Sequence, residues 1–202
     1  MKKQVVVIHG GDNFGTHEEY IAFLKEFAIK SLDFFLHTGW KQSLQDKLGS
    51  QYEVIRPEMP NAFNARYEEW KIWFEKLIPL LNPNVILVGH SLGGIFLAKY
   101  LSENKISKKI LATFFIAAPF DEEDAEYELL DFNLPPSLKL LAEQGGKIFL
   151  YHSQDDNQVP FSDIYKYQKE LPNAVVRIFT DKGHFNQADF PELISDIKSL
   201  QS

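Results

Sequence analysis

Val85-Ile86-Leu87-Val88-Gly89-His90-Ser91-Leu92-Gly93-Gly94-Ile95-Phe96-Leu97-Ala98-Lys99-Tyr100-Leu101 is the stretch on which the reading of the whole chain turns. Its first four residues form an apolar run without polar alternation, the pattern of a strand covered on both faces. From Ile95 to Leu101 the chain is mostly apolar, as expected for a helix lying directly on a sheet. Between the two, Gly89-His90-Ser91-Leu92-Gly93 fits the G-x-S-x-G nucleophile elbow in its required strand–turn–helix setting. Such a turn is so sharp that strand and helix nearly touch, leaving no room for side chains two residues either side of Ser91. It holds the serine backbone in a strained conformation and projects the hydroxyl clear of the sheet. Composition alone yields about 0.04 such matches by chance. The competing reading, a glycine-rich turn whose serine caps a helix, does not require that setting.

Working outward, further short apolar runs read as strands at Gln4–Ile8, Tyr52–Arg56, Asn84–Val88, Ile110–Ala117, Lys147–His152 and Ala174–Phe179. Helical periodicity fills the gaps. Tyr20, Leu24, Phe27 and Phe35 lie near one stripe of a helix from about Glu18. Trp40, Leu44 and Leu48 repeat at i+4 and stop at Gly49, a C-terminal cap. Tyr67, Trp70, Phe74 and Leu77 mark a third helix, and all three Trp are expected in the core. Asp189 and Glu192 read as a capping box around Pro191 at the start of the last helix. Alternating strands and helices predict a doubly wound, mostly parallel six-stranded α/β sheet with helices on both faces. With 202 residues, no repeat and no linker, the chain reads as one domain, residues 1–202. It carries a longer insertion at about 12–51 and an acidic loop at about 121–144.

A serine hydroxyl needs a base, and the base an orienting acid. On this architecture they follow in the order Ser, acid, His, and the working residues gather at the carboxyl ends of strands. The fifth strand runs into Ser153-Gln154-Asp155-Asp156-Asn157-Gln158-Val159-Pro160 and the sixth into Thr180-Asp181-Lys182-Gly183-His184-Phe185. His184 is the candidate base. Asp155 and Asp156 compete for the acid; Asp121, after the fourth strand, is a third candidate with a surface role preferred.

These residues carry a resemblance. Across nearly its whole length the chain resembles the α/β-hydrolase superfamily, and within it the small serine hydrolases related to YdeN and to retinoblastoma-binding protein nine. The matching stretches are Ile8-His9-Gly10-Gly11, Met59-Pro60-Asn61 with Trp70 downstream, Gly89–Gly94, Asp156-Asn157-Gln158-Val159-Pro160 and Gly183-His184-Phe185. The resemblance implies a triad of Ser91, His184 and Asp156, the acid of D-x-x-V-P being Asp156 rather than Asp155. It also implies an oxyanion hole made by the backbone N–H groups of Gly11 and Leu92. The chain departs from the smallest members at Asp12–Gln51, which leaves the shape of the substrate entrance open. The reaction implied is hydrolysis of a small acyl ester, thioester or amide through an acyl-enzyme, with no cofactor.

The other histidines have structural defaults. His9 is expected to stabilise its loop, His90 to be packed and hydrogen-bonded in the elbow, and His152 to belong to the core or the site wall. His17 and His37 fall in the insertion. His9–Gly15 lacks the endings of a phosphate loop, and no H-E-x-x-H-type metal spacing occurs, so neither a nucleotide nor a metal is expected. Zero Cys excludes disulfides, thiolate metal sites and a Cys nucleophile. A net charge of −7 argues against nucleic acid and anionic membranes as partners. The expected partner is a small acyl substrate; a protein partner is possible but not indicated. No apolar run is long enough for a signal peptide or a membrane span, which reads as a cytoplasmic protein. The charge is local: Asp121–Asp131 holds seven acids and no base. Its default reading is a solvated loop; the alternative places it beside the substrate mouth, where it disfavours anionic substrates.

Overall fold

The computed structural model describes residues 2–29, 32, 39–125 and 127–200. Six strands form one sheet: β1 (Lys3–Ile8), β2 (Tyr52–Ile55), β3 (Val85–His90), β4 (Ile110–Ile116), β5 (Lys147–Ser153) and β6 (Val175–Phe179). Their order is β2-β1-β3-β4-β5-β6 and every neighbouring pair is parallel. The order reverses between β1 and β3, so a crevice opens beyond their carboxyl ends, where open α/β sheets place ligands. Register brings the functional segments to that edge: Ile8 lies beside Gly89, His90 beside Ile116, and Ser153 beside Phe179.

Among the described residues there are seven α-helices: α1 (His17–Glu26), α2 (Trp40–Leu48), α3 (Tyr67–Leu77), α4 (Leu92–Glu103), α5 (Lys139–Gln144), α6 (Asp163–Glu170) and α7 (Pro191–Ser199). Alternate residues of the strands feed two cores, one on each face. One gathers Val6, Ile8, Leu87 and Leu150 with Trp70, Phe74 and Phe96 from α3 and α4. The other gathers Val5, Val7, Ile86 and Val88 with Trp40, Leu44 and Ile197 from α2 and α7. Because β1 and β3–β5 are covered on both sides, they read as unbroken apolar runs. The edge strand β6 is only partly covered, and Ile178 stays 45% exposed. Among the described residues no helix is long and apolar enough to cross a membrane.

The strand expectations match to within two residues at each end. Three helical expectations need correction. The first helix ends at Glu26, so Phe27 is its C-cap and not part of its stripe; Phe35 lies outside the described residues. Its start is set by a capping box the periodicity does not show: Thr16 Oγ1 accepts from Glu19 N–H and Glu19 Oε2 accepts from Thr16 N–H. The Asp189–Glu192 capping box does not form. The last helix has Phe190 at its N-cap without a side-chain bond, and Asp189 and Glu192 instead pair with Lys47 and Lys182. Trp73 is not in the core: it is 47% exposed, whereas Trp70 and Phe74 of the same helix are fully buried. The Gly49 cap is present, at φ +87°, with its N–H bonded to Gln45 O.

Candidate active site

Ser91 joins β3 to α4 at φ +55° and ψ −126°, a conformation that L-residues rarely adopt. Its N–H donates to Ile116 O at 2.9 Å, which ties the turn to β4. The glycines around it are required by contact. A Cβ on Gly93 would stand 2.4 Å from His9 O, and one on Gly89 would stand 2.5 Å from Gly93 O.

The structure brings Asp156 and His184 together from the loops after β5 and β6. His184 Nδ1 lies 2.9 Å from Asp156 Oδ2 and 3.1 Å from Oδ1, with both side chains nearly sealed from solvent. Burial works to raise the Asp156 carboxyl. The His184 hydrogen bond and charge, with the N–H groups of Gln158 and Val159, outweigh it and hold the carboxyl below its usual range. A carboxylate on Nδ1 fixes the proton there and leaves Nε2 as the basic nitrogen. Among the described residues no hydrogen bond within 3.5 Å joins Ser91 Oγ to His184. In substrate-free enzymes such a bond is commonly long and tightens on binding.

Asp155 is placed otherwise. Its Oδ1 accepts from Gly183 N–H at 2.9 Å and from Ser153 Oγ at 2.5 Å, and Ser153 Oγ accepts from Lys182 N–H at 3.1 Å. Asp155 thus clamps the loop that carries His184. Two more side chains hold that loop: His90 Nε2–H donates to His184 O at 2.8 Å, and Trp40 Nε1–H donates to Phe185 O at 2.8 Å. The clamps matter because Gly183 and Phe185 sit at φ +49° and +54° on either side of His184. Sequence reasoning missed Ser153, Asp155 and Trp40 in this role. Ser153-x-Asp155 is a turn-like spacing, but its partners lie 28 residues and more away.

His9 and His152 make structural contacts. His9 Nδ1–H donates to Gly10 O and Nε2 accepts from Met59 N–H, so the ring staples its loop to the segment after β2. His152 Nε2 lies 3.1 Å from Val159 O and 3.6 Å from Asp156 Oδ2, behind the acid. Burial lowers the pKa of His9, His90 and His152, so all three favour the neutral form. His17 starts α1, and His37 lies outside the described residues. Asp121 has a surface role, as expected: it pairs with Lys166 Nζ at 2.6 Å. Among the described residues no cluster of His, Asp or Glu suited to a metal ion occurs.

Gly11 and Leu92 N–H groups donate to no other group among the described residues, whereas the next N–H, that of Asp12, is taken by Ala62 O at 2.9 Å. Both residues line a cavity of about 530 Å³. One wall is α1, through Glu19, Ala22 and Phe23. The facing wall is the acidic segment, through Tyr127, Glu128 and Leu129. The acidic segment is thus partly solvated, with Glu122, Glu123 and Asp124 exposed, and partly a wall of this cavity. Leu129 is buried, and its N–H donates to Glu122 Oε1.

Comparisons with known proteins bear on the family and the fold. The sequence profile described as Serine hydrolase matches residues 36–196, about four fifths of the chain. Serine hydrolase RBBP9 of Rattus norvegicus is 24% identical over 199 residues, covering 98% of this chain and 95% of that protein. The crystal structure of the ydeN gene product from B. subtilis superposes with a TM-score of 0.71 at 20% identity, covering 98% of both chains. A carboxylesterase structure from the Thaumarchaeon Nitrososphaera gargenis gives a TM-score of 0.61 at 18% identity, covering 98% of this chain and 88% of that one.

Proposed function

The chain belongs to the serine hydrolase family, and from the arrangement around Ser91 we propose that it cleaves small acyl esters through a Ser91–His184–Asp156 triad. One observation carries the reading: Asp156 holds His184 Nδ1 at 2.9 Å, on a loop clamped next to a serine fixed at φ +55°. The His90 ring, one residue before Ser91, lies 4.9 Å from the His184 ring.

The steps follow from the geometry. Ser91 Oγ attacks the carbonyl carbon, and its proton passes to His184 Nε2. Asp156, held ionised, stabilises the imidazolium and keeps its Nδ1 proton in place. The carbonyl oxygen becomes an oxyanion that accepts from the free N–H groups of Gly11 and Leu92, each worth roughly 10²–10³ in rate. Collapse breaks the bond to the leaving group, which departs with the proton from His184, and leaves an ester on Ser91. Water then attacks that ester, with His184 taking its proton and returning it to Ser91 Oγ as the acid leaves. Thioesters and amides use the same steps and differ in the leaving group.

Hydrolysis of a p-nitrophenyl ester by wild type, Ser91→Ala, His184→Ala and Asp156→Asn tests this reading. Each substitution lowers kcat by roughly 10³ or more while circular dichroism shows an intact fold. A Ser91→Ala protein with wild-type kcat contradicts it.

A further inference from the structure

We propose that the cavity beside the Gly11 and Leu92 N–H groups receives an acyl group carrying a positive charge, making esters of ammonium-bearing acids the preferred substrates. This deepens the reading of Ser91 as nucleophile and rests on it. The side of the substrate follows from proton transfer. His184 gives its proton to the leaving group, so the leaving group must lie against His184. The cavity is walled by Gly11 and Leu92 and not by His184, so it takes the other half of the substrate, the acyl part.

Its charge is one-sided. Asp12, Glu19, Glu26 and Glu128 line it, and among the described residues no Lys or Arg does. Glu19 from α1 and Glu128 from the acidic segment close on the same point: Glu19 Oε2 and Glu128 Oε2 stand 3.2 and 3.7 Å from where a Cβ on Gly15 would be. None of the four carboxylates forms an ion pair among the described residues. Lys166 is held by Asp121, Glu123 and Asp163, and Arg66 donates to the carbonyls of Ala65 and Phe14 behind the cavity wall.

A further observation, independent of the acids, bears on what the cavity takes. Phe14 and Phe23 line it with ring centroids 4.9 Å apart. Aromatic faces together with carboxylates suit an alkylated ammonium group, which is attracted to both.

The test is a set of three p-nitrophenyl esters of one shape: 4-(trimethylammonio)butyrate, its uncharged carbon isostere 5,5-dimethylhexanoate, and the half-ester of glutarate. An exposed ion pair is worth roughly a factor of 1.5 to 5. Two carboxylates, Glu19 and Glu128, that attract the cationic ester and repel the anionic one therefore predict that kcat/KM for the cationic ester exceeds that for the anionic ester at least about fivefold at low salt. The preference should shrink several-fold at 0.5 M NaCl, a probe concentration at which charges screen within about 4–5 Å. Glu19→Gln with Glu128→Gln should cut the ratio at least threefold, and glutamine at position 19 can still complete the α1 capping box. Glu143→Gln with Glu170→Gln changes net charge equally, outside the cavity, and should leave the ratio unchanged. Ser91-dependent turnover of all three esters at equal kcat/KM overturns the charged-acyl proposal and leaves the hydrolase reading standing. So does a ratio untouched by the Glu19/Glu128 pair. Absence of Ser91-dependent turnover of every ester overturns both.

Discussion

The turn that carries Ser91 and the entrance above it are built on opposite principles. At the turn, backbone lies against backbone: a single methyl group on Gly93 would stand 2.4 Å from a carbonyl oxygen, and the residues packed around it are almost completely buried. At the entrance, α1 has no fully buried residue, and Leu24 is 43% exposed. The acidic segment facing it is tied down mainly by polar side chains. Asp121 pairs with Lys166, Asp131 accepts from Tyr67 N–H at 2.9 Å, and Ser162 donates to Asp124 at 3.1 Å. Close packing fixes a serine to within tenths of an ångström, which attack on a carbonyl requires. Caps and charges fix a wall more loosely, and leave its chemistry open to change without loss of the core.

Gly93→Ala gives the largest effect this contrast predicts. The new methyl group can be accommodated only by displacing β1 or α4, so stability should fall by at least about 3 kcal/mol in urea unfolding. A loss under about 1 kcal/mol would erase the distinction between the two regions.

The entrance should respond to pH instead. Asp163, at the start of α6, is 1% exposed, accepts from Phe120 N–H and lies 3.3 Å from Lys166. Burial pushes its carboxyl up to about 6, against the pull of the Phe120 N–H and Lys166. Its folded-state pKa is thus above the ordinary value of about 3.9. The folded protein therefore holds this proton more tightly than the unfolded chain. The stability it contributes is full below about pH 4 and lost as pH rises through 6. Asn at this position cannot ionise. Relative to wild type, Asp163→Asn should gain about 2 kcal/mol between pH 4.5 and 7.5, measured by urea unfolding at each pH. A pH-independent difference would place the Asp163 carboxyl outside the anchoring network of the entrance.

The same contrast explains what the sequence discloses. The sheet and the elbow are legible because their signals are local: four apolar residues, then glycines at fixed offsets from Ser91. His184 and the Asp155-Asp156 pair are legible because they follow strands, although choosing between the two acids took the family resemblance. Asp155 and Asp156 differ only in which way the loop turns them, and that depends on Gly183 and His184, 28 residues away. Nor does periodicity show the cavity. Glu19 and Glu128 come from segments with no shared pattern, and they meet only because α1 and the acidic segment both rise over the same sheet edge. The failed capping box at Asp189 has a related cause: longer-range pairs with Lys47 and Lys182 take both acids.

The central claim is that Ser91 is the nucleophile. Treatment with a fluorophosphonate, followed by intact-mass and peptide mass spectrometry, tests it most directly. The account predicts one phosphonyl adduct per chain, located on the peptide containing Ser91, with none on folded Ser91→Ala protein. An adduct on another residue, or no adduct on folded wild-type protein, would contradict it.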